Sequence, residues 1–212
     1  MGVRRLREVL ESSEFVTTVE YNPPKGTDIA PIMDNAKALL GKVHGVNVTD
    51  NTAAILRAGS LSVCRMLFEM GHDPVMQVTC RDRNRLAIQS DLLSAHILGI
   101  RNILCLTGDY PTVGDHKDAK PVYDLDSVGV MQMIQVLNQG RDLAGHKLQG
   151  PTDLFIGAAI TPEQDPPGPM LAKFEKKVNA GTKFFQTQAF YDVEKFKAFM
   201  RAVRKFPVKV LA

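Results

Sequence analysis

The sequence has 212 residues, 44% of them hydrophobic and 23% charged, with a formal net charge of +3. That is chain enough for one large domain with its own core. Lys and Arg are interleaved with acids, so the small positive excess describes a solvated surface and leaves no footprint for nucleic acid. No apolar run approaches the roughly 18 residues of a membrane helix, and the N-terminal MGVRRLREVLESSEF lacks the apolar stretch of a secretory signal. It reads as a short amphipathic helix, with Val3, Leu6 and Leu10 at helical spacing.

From there apolar, β-branched runs predict strands at 15–21, 43–49, 74–80, 102–108, 153–160, 183–190 and 208–211. Helical patterns fall between them, near 29–40, 60–70, 84–98, 126–139, 169–180 and 192–205, and Gly41, Gly71, Gly99, Gly140 and Gly181 stop several of these. Repeated βα units imply an α/β protein with a parallel sheet. Cys64, Cys80 and Cys105 are odd in number and lack CxxC spacing, which argues against a disulfide framework and a zinc site. Reduced, buried thiols in a cytoplasmic protein are expected, and the sequon at Asn47 is then incidental.

Two parallel architectures compete. A doubly wound sheet carries a glycine-rich turn after its first strand, whereas this first strand runs into Asn22-Pro23-Pro24-Lys25-Gly26. The segment 140–147 lacks the GK[ST] ending of a phosphate loop. Polar residues instead recur at the ends of successive strands: Glu20, Thr49, Thr79, Asp109, Glu163 and Gln188. Such ends converge on one mouth in a (β/α)8 TIM barrel. A barrel takes about 250 residues, so the expectation is a single catalytic barrel domain over 1–212, truncated in or after its seventh strand.

Several side chains suit chemistry at such a mouth. Glu20 closes the first strand ahead of a rigid Pro-Pro; a carboxylate half removed from water there could act as a general acid, against the plain alternative of a surface Glu. Thr107-Gly108-Asp109 ends the fourth strand, where glycine lets a flat ligand approach the backbone, though a Gly-Asp turn is common. The polar loop 110–121 that follows has the length of a binding lid. Gln186 and Gln188 share one face of the sixth strand. They are either structural filling or amides offering donor and acceptor to a heterocycle edge. Phe190 and Tyr191 offer a stacking wall or belong to the core. His44, His72 and His96 have no second ligand at metal spacing, and structural or solvated roles are expected of them.

In order along the chain, Val19-Glu20-Tyr21-Asn22-Pro23-Pro24-Lys25, Val46-Asn47-Val48-Thr49-Asp50-Asn51 and Gln77-Val78-Thr79-Cys80-Arg81-Asp82 resemble the strand signatures of the methylenetetrahydrofolate reductase family. So do Leu106-Thr107-Gly108-Asp109-Tyr110-Pro111, Lys120-Pro121-Val122-Tyr123, Lys176-Lys177-Val178-Asn179-Ala180-Gly181 and Thr187-Gln188-Ala189-Phe190-Tyr191-Asp192. The resemblance implies a flavoprotein that takes hydride from NAD(P)H and passes it to methylenetetrahydrofolate, giving methyltetrahydrofolate. It implies Glu20 as the general acid that opens the folate ring and Asp109 as the acid near flavin and pterin. Gln188, with Phe190 and Asp109, would meet the pterin. Thr49, Gln77, Thr79, Gly108, Tyr123, Ala159 and Lys177 would hold the flavin.

Thr107, Gln77, Thr161 and Asp165 depart from residues common in the family. FMN is therefore an alternative to FAD, and an electron-transfer protein an alternative to NAD(P)H, with an oligomer or partner subunit expected. The rival readings are a flavin-free pterin-binding methyltransferase barrel and a non-catalytic barrel subunit of a one-carbon enzyme complex. The joint presence of Glu20, Asp109 and Gln188 argues against a mere scaffold.

Overall fold

The computed structural model describes residues 5–12 and 14–212. Helix α1 (Leu6–Glu11) precedes seven strands: β1 (Thr18–Tyr21), β2 (Gly45–Val48), β3 (Pro74–Thr79), β4 (Asn102–Leu106), β5 (Phe155–Ile160), β6 (Phe184–Thr187) and β7 (Lys209–Leu211). Between them lie α2 (Ala30–Leu39), α3 (Ser60–Met70), α4 (Arg85–Ile97), α5 (Ser127–Asn138), α6 (Pro167–Asn179) and α7 (Val193–Val203). Every strand pairs in parallel with its sequence neighbour, in the order β1 to β7. Among the described residues β1 and β7 do not pair, so the sheet is an open barrel of TIM type. Leu6 and Leu10 are buried in α1; Val3 lies outside the described residues.

Strand alternation sorts the side chains into two cores. Outward residues such as Val46, Met76, Val78, Ile103, Cys105, Ile156 and Phe185 pack beneath α3 to α7 in the larger core. Inward residues Val75, Leu104, Phe155 and Phe184 form a second cluster with Leu6 and Leu10 of α1, which closes the end of the barrel where the strands begin. Asp73 holds that plug by accepting from the Leu6 amide at 2.6 Å. Phe184 lies flat over Gly157 of β5, where a Cβ would come within 2.3 Å of its ring. Phe155 stacks on the same ring at 5.5 Å. One end of the barrel is therefore filled with apolar side chains, and polar side chains are left to the other.

The sequence expectations for the helices and strands agree with these elements. The first strand is shorter than expected, because residues 15–17 run outside the sheet and Phe15 is 89% exposed. The three cysteines are buried and free, and burial pushes the Cys80 thiol up to about 12. His72 is buried with Nε2 2.9 Å from the Ala36 carbonyl, and His44 Nδ1 accepts from the Thr17 amide at 3.1 Å. Among the described residues no helix is long and apolar enough to cross a membrane.

Candidate active site

At the C-terminal ends of the strands opens a cavity of about 1000 Å³, at the upper end of the range for small-molecule sites. Glu20, Thr49, Gln77, Thr79, Gly108, Asp109, Ala159 and Gln188 line it. Glu20 on β1, Gln77 and Thr79 on β3 and Ala159 on β5 reach it by inward alternation, and Thr49, Gly108, Asp109 and Gln188 reach it from just past the ends of β2, β4 and β6. Glu20 Oε2 accepts from Gln77 Nε2 at 3.0 Å and from Gln186 Nε2 at 3.2 Å. The half-burial expected of Glu20 is not found: its side chain is exposed, because the cavity above it is open.

Five other expected residues lie off the lining. Phe190 stacks on Phe196 of α7 with centroids 4.0 Å apart and does not line the cavity. Tyr191 is 90% exposed. Tyr123 stacks against Tyr110 at 6.1 Å and donates its hydroxyl to the Gly108 carbonyl at 3.2 Å. Lys177 reaches from α6 to donate to the Ala159 carbonyl at 2.6 Å, and burial lowers its affinity for a proton. Tyr123 and Lys177 thus meet the cavity through the backbone they hold. Glu163 is not on the lining either; it accepts from the backbone amides of Tyr191 and Asp192 at the start of α7.

The rim is braced by charges that match no catalytic motif in the sequence. Asp50, two residues past β2, accepts from the Thr79 amide at 2.8 Å, the Thr79 hydroxyl at 2.9 Å and the Arg83 guanidinium. Burial works against the charge on Arg83, but Asp50 and Asp91 outweigh it and hold its proton more firmly than usual. Arg81 is buried, pairs with Asp82, and donates to the carbonyls of Asp109 and Asn51 at 3.2 Å each. It therefore ties the ends of β2, β3 and β4 together. The signal was present as a charged run, Arg81-Asp82-Arg83, directly behind an apolar strand. The loop 110–121, expected as a lid, begins with a short 3-10 turn, Pro111–Val113, packed against a second one at Thr52–Ala54. Gly114 touches the latter so closely that a Cβ would sit 1.9 Å from the Ala54 carbonyl oxygen.

The lining fits a flat heterocycle. Gly108 has φ +89°, and a Cβ there would lie 3.1 Å from that of Thr79, so bare backbone forms this wall. Ala159 is similarly small, and the flanking hydroxyls and amides offer hydrogen bonds. Two cationic side chains reach the lining. Arg81 is engaged as described; Lys173 on α6 is exposed.

A parallel barrel with a polar cavity at its strand ends, carboxylates on the wall and an apolar plug below has the architecture of TIM-barrel enzymes. The family model for methylenetetrahydrofolate reductase matches residues 5–211, and the chain belongs to that family. Methylenetetrahydrofolate reductase 2 of Schizosaccharomyces pombe is 30% identical over 96% of this chain and 32% of its own. A probable methylenetetrahydrofolate reductase (NADPH) of Caenorhabditis elegans is 24% identical over 96% of this chain and 30% of its own. The chain thus spans about a third of the length of the curated relatives it matches. Among solved structures, an uncharacterized protein from Clostridium thermocellum that binds two copies of 5-methyl-5,6,7,8-tetrahydrofolic acid has a TM-score of 0.63, 15% identity and coverage of 92% of this chain and 62% of that one. A 2,3-dimethylmalate lyase has a TM-score of 0.62 at 12% identity, covering 96% of this chain and 67% of that one. Both share the fold.

Proposed function

We propose that this barrel reduces 5,10-methylenetetrahydrofolate to 5-methyltetrahydrofolate. A flavin bound at the cavity, FAD or alternatively FMN, would supply the hydride, replenished by NAD(P)H or an electron-transfer protein. The observation that carries the reading is Glu20, held by two amides within a cavity that Asp109 and Gln188 also line, in a chain of this family. Glu20 protonates the nitrogen that departs when the folate ring opens. Gln188 and Asp109 bind the pterin. Thr49, Thr79, Gly108 and Ala159 form the wall against which the flavin rests, with Tyr123 and Lys177 holding that wall from behind and Lys173 meeting a phosphate.

Purified protein should be yellow, and mass analysis of the released cofactor identifies FAD or FMN. The protein should convert methylenetetrahydrofolate when a reductant is supplied. A folate-binding neighbour of the same fold supports a second reading, a pterin-binding methyltransferase barrel. Colourless protein that binds methyltetrahydrofolate tightly but takes up no added flavin would select that reading.

Asp109 provides a separate check. A carboxylate beside the flavin disfavours the extra negative charge that reduction brings. In a solvated mouth the interaction is of the order of 1 kcal/mol, or ~20 mV for a two-electron couple. Asp109→Asn should raise the midpoint potential by about that amount and slow folate reduction. Redox titration measures it, and an unchanged or lowered potential would remove Asp109 from the flavin's surroundings.

A further inference from the structure

We propose that Gln77 and Gln186 are positioning residues that clamp one oxygen of Glu20 and so decide which of its two oxygens carries the transferable proton. The proposal rests on Glu20 as the proton donor, and it gives Gln77 a task other than holding flavin. Glu20 stands on β1, Gln77 on β3 and Gln186 on β6, so the two amides approach the carboxyl from different strands of the barrel. Both donate to the same atom, Oε2, at 3.0 and 3.2 Å. Among the described residues the Gln186 amide oxygen is buried without a hydrogen-bond partner. Turning that amide over would satisfy nothing and would set oxygen against oxygen at Glu20, so the carboxyl fixes its orientation.

The chemistry follows from the polarity of an amide nitrogen, which donates and does not accept. Two N–H groups aimed at Oε2 oppose an O–H at that atom. In the neutral carboxyl Oε2 is therefore the carbonyl oxygen, and the proton sits on Oε1. During transfer the O–H bond at Oε1 breaks and an N–H bond forms at the departing nitrogen of the substrate. Its C–N bonding pair goes to that nitrogen. Glu20 is left as a carboxylate, and the same two donors meet its new charge with stronger hydrogen bonds than they gave the neutral acid. The clamp thus orients the acid before transfer and stabilises its conjugate base afterwards.

Methionine is close to glutamine in length and cannot donate, so Gln77→Met and Gln186→Met remove one hydrogen bond each. The first readout is infrared spectroscopy of the full chain with isotope-labelled glutamate at acid pH, with the Glu20→Gln spectrum subtracted to isolate the Glu20 band. Its C=O stretch should move to higher frequency in each Met variant and further in the double variant. The second readout is rapid-mixing kinetics of the protein with its flavin and donor. Folate reduction should fall about tenfold per lost donor, while reduction of the flavin stays within ~2-fold. An unmoved C=O stretch in both variants overturns the clamp, as does equal slowing of the two half-reactions. If the stretch moves but the wild-type protein does not turn over methylenetetrahydrofolate, the clamp stands and the proposed reaction falls.

Discussion

Asp50→Ala is expected to lower the free energy of unfolding by about 3 kcal/mol, the low end of the range for removing one partner of a buried ion pair. Asp50 is 4% exposed and accepts from the Thr79 amide, the Thr79 hydroxyl and Arg83. Alanine strands a buried backbone N–H, a buried hydroxyl and a guanidinium with no acceptor at that point. Arg83 keeps Asp91 at 3.0 Å and its side chain is 25% exposed, which holds the loss to the low end. For a chain of this size the melting temperature should fall by roughly 6–12 °C. Asp50→Asn retains an oxygen for Thr79 while losing the charge, and should cost about half as much. Thermal or urea unfolding decides; an alanine variant within ~1 kcal/mol of wild type would show that water enters and replaces the carboxylate.

That network bears on the site because it joins strand ends. Asp50 follows β2 and binds Thr79 at the end of β3, and Arg81, next but one to Thr79, holds the Asp109 carbonyl beyond β4. These cross-links join the ends of β2, β3 and β4 at the wall of the cavity. Loss of Asp50 should therefore disturb ligand binding at temperatures well below unfolding.

Periodicity was sufficient for the alternation of strands and helices, and the polar strand ends for choosing the barrel. The run 74–80 predicted a strand, and β3 is wholly buried, with Val75 and Gln77 turned inward and Met76 and Val78 outward in the period-two alternation of a strand. Glu20, Asp109 and Gln188 were legible for a related reason: polar residues that end apolar strands in a barrel gather at the mouth, although Glu163, chosen on the same ground, turns to the amides at the start of α7. Phe190 shows where this stops working. It lies two residues past Gln188 in a segment that has left the sheet, so alternation no longer applies, and it turns to stack on Phe196. The partnership of Gln77 and Gln186 with Glu20 was hidden more deeply. It depends on barrel curvature bringing β1, β3 and β6 together, and no local pattern encodes a contact between residues 20 and 186.

Glu20→Gln is the substitution from which the largest change in rate is expected. Methylenetetrahydrofolate accepts hydride poorly until its five-membered ring opens, and opening needs a proton at the departing nitrogen. Reduction of a flavin by its donor needs no such proton. The variant suits this contrast because a glutamine at position 20 still presents a carbonyl oxygen to Gln77 and Gln186, so the two hydrogen bonds to Oε2 survive and the ionisable proton alone is lost. Folate reduction should fall by ~10²–10⁴-fold, the usual cost of a missing general acid, with flavin reduction within several-fold of wild type. Stopped-flow absorbance at the flavin band follows each half-reaction in turn. Equal slowing of both would mean that Glu20 holds the cavity or the flavin in place, and an unchanged folate step would mean that the proton arrives from another group.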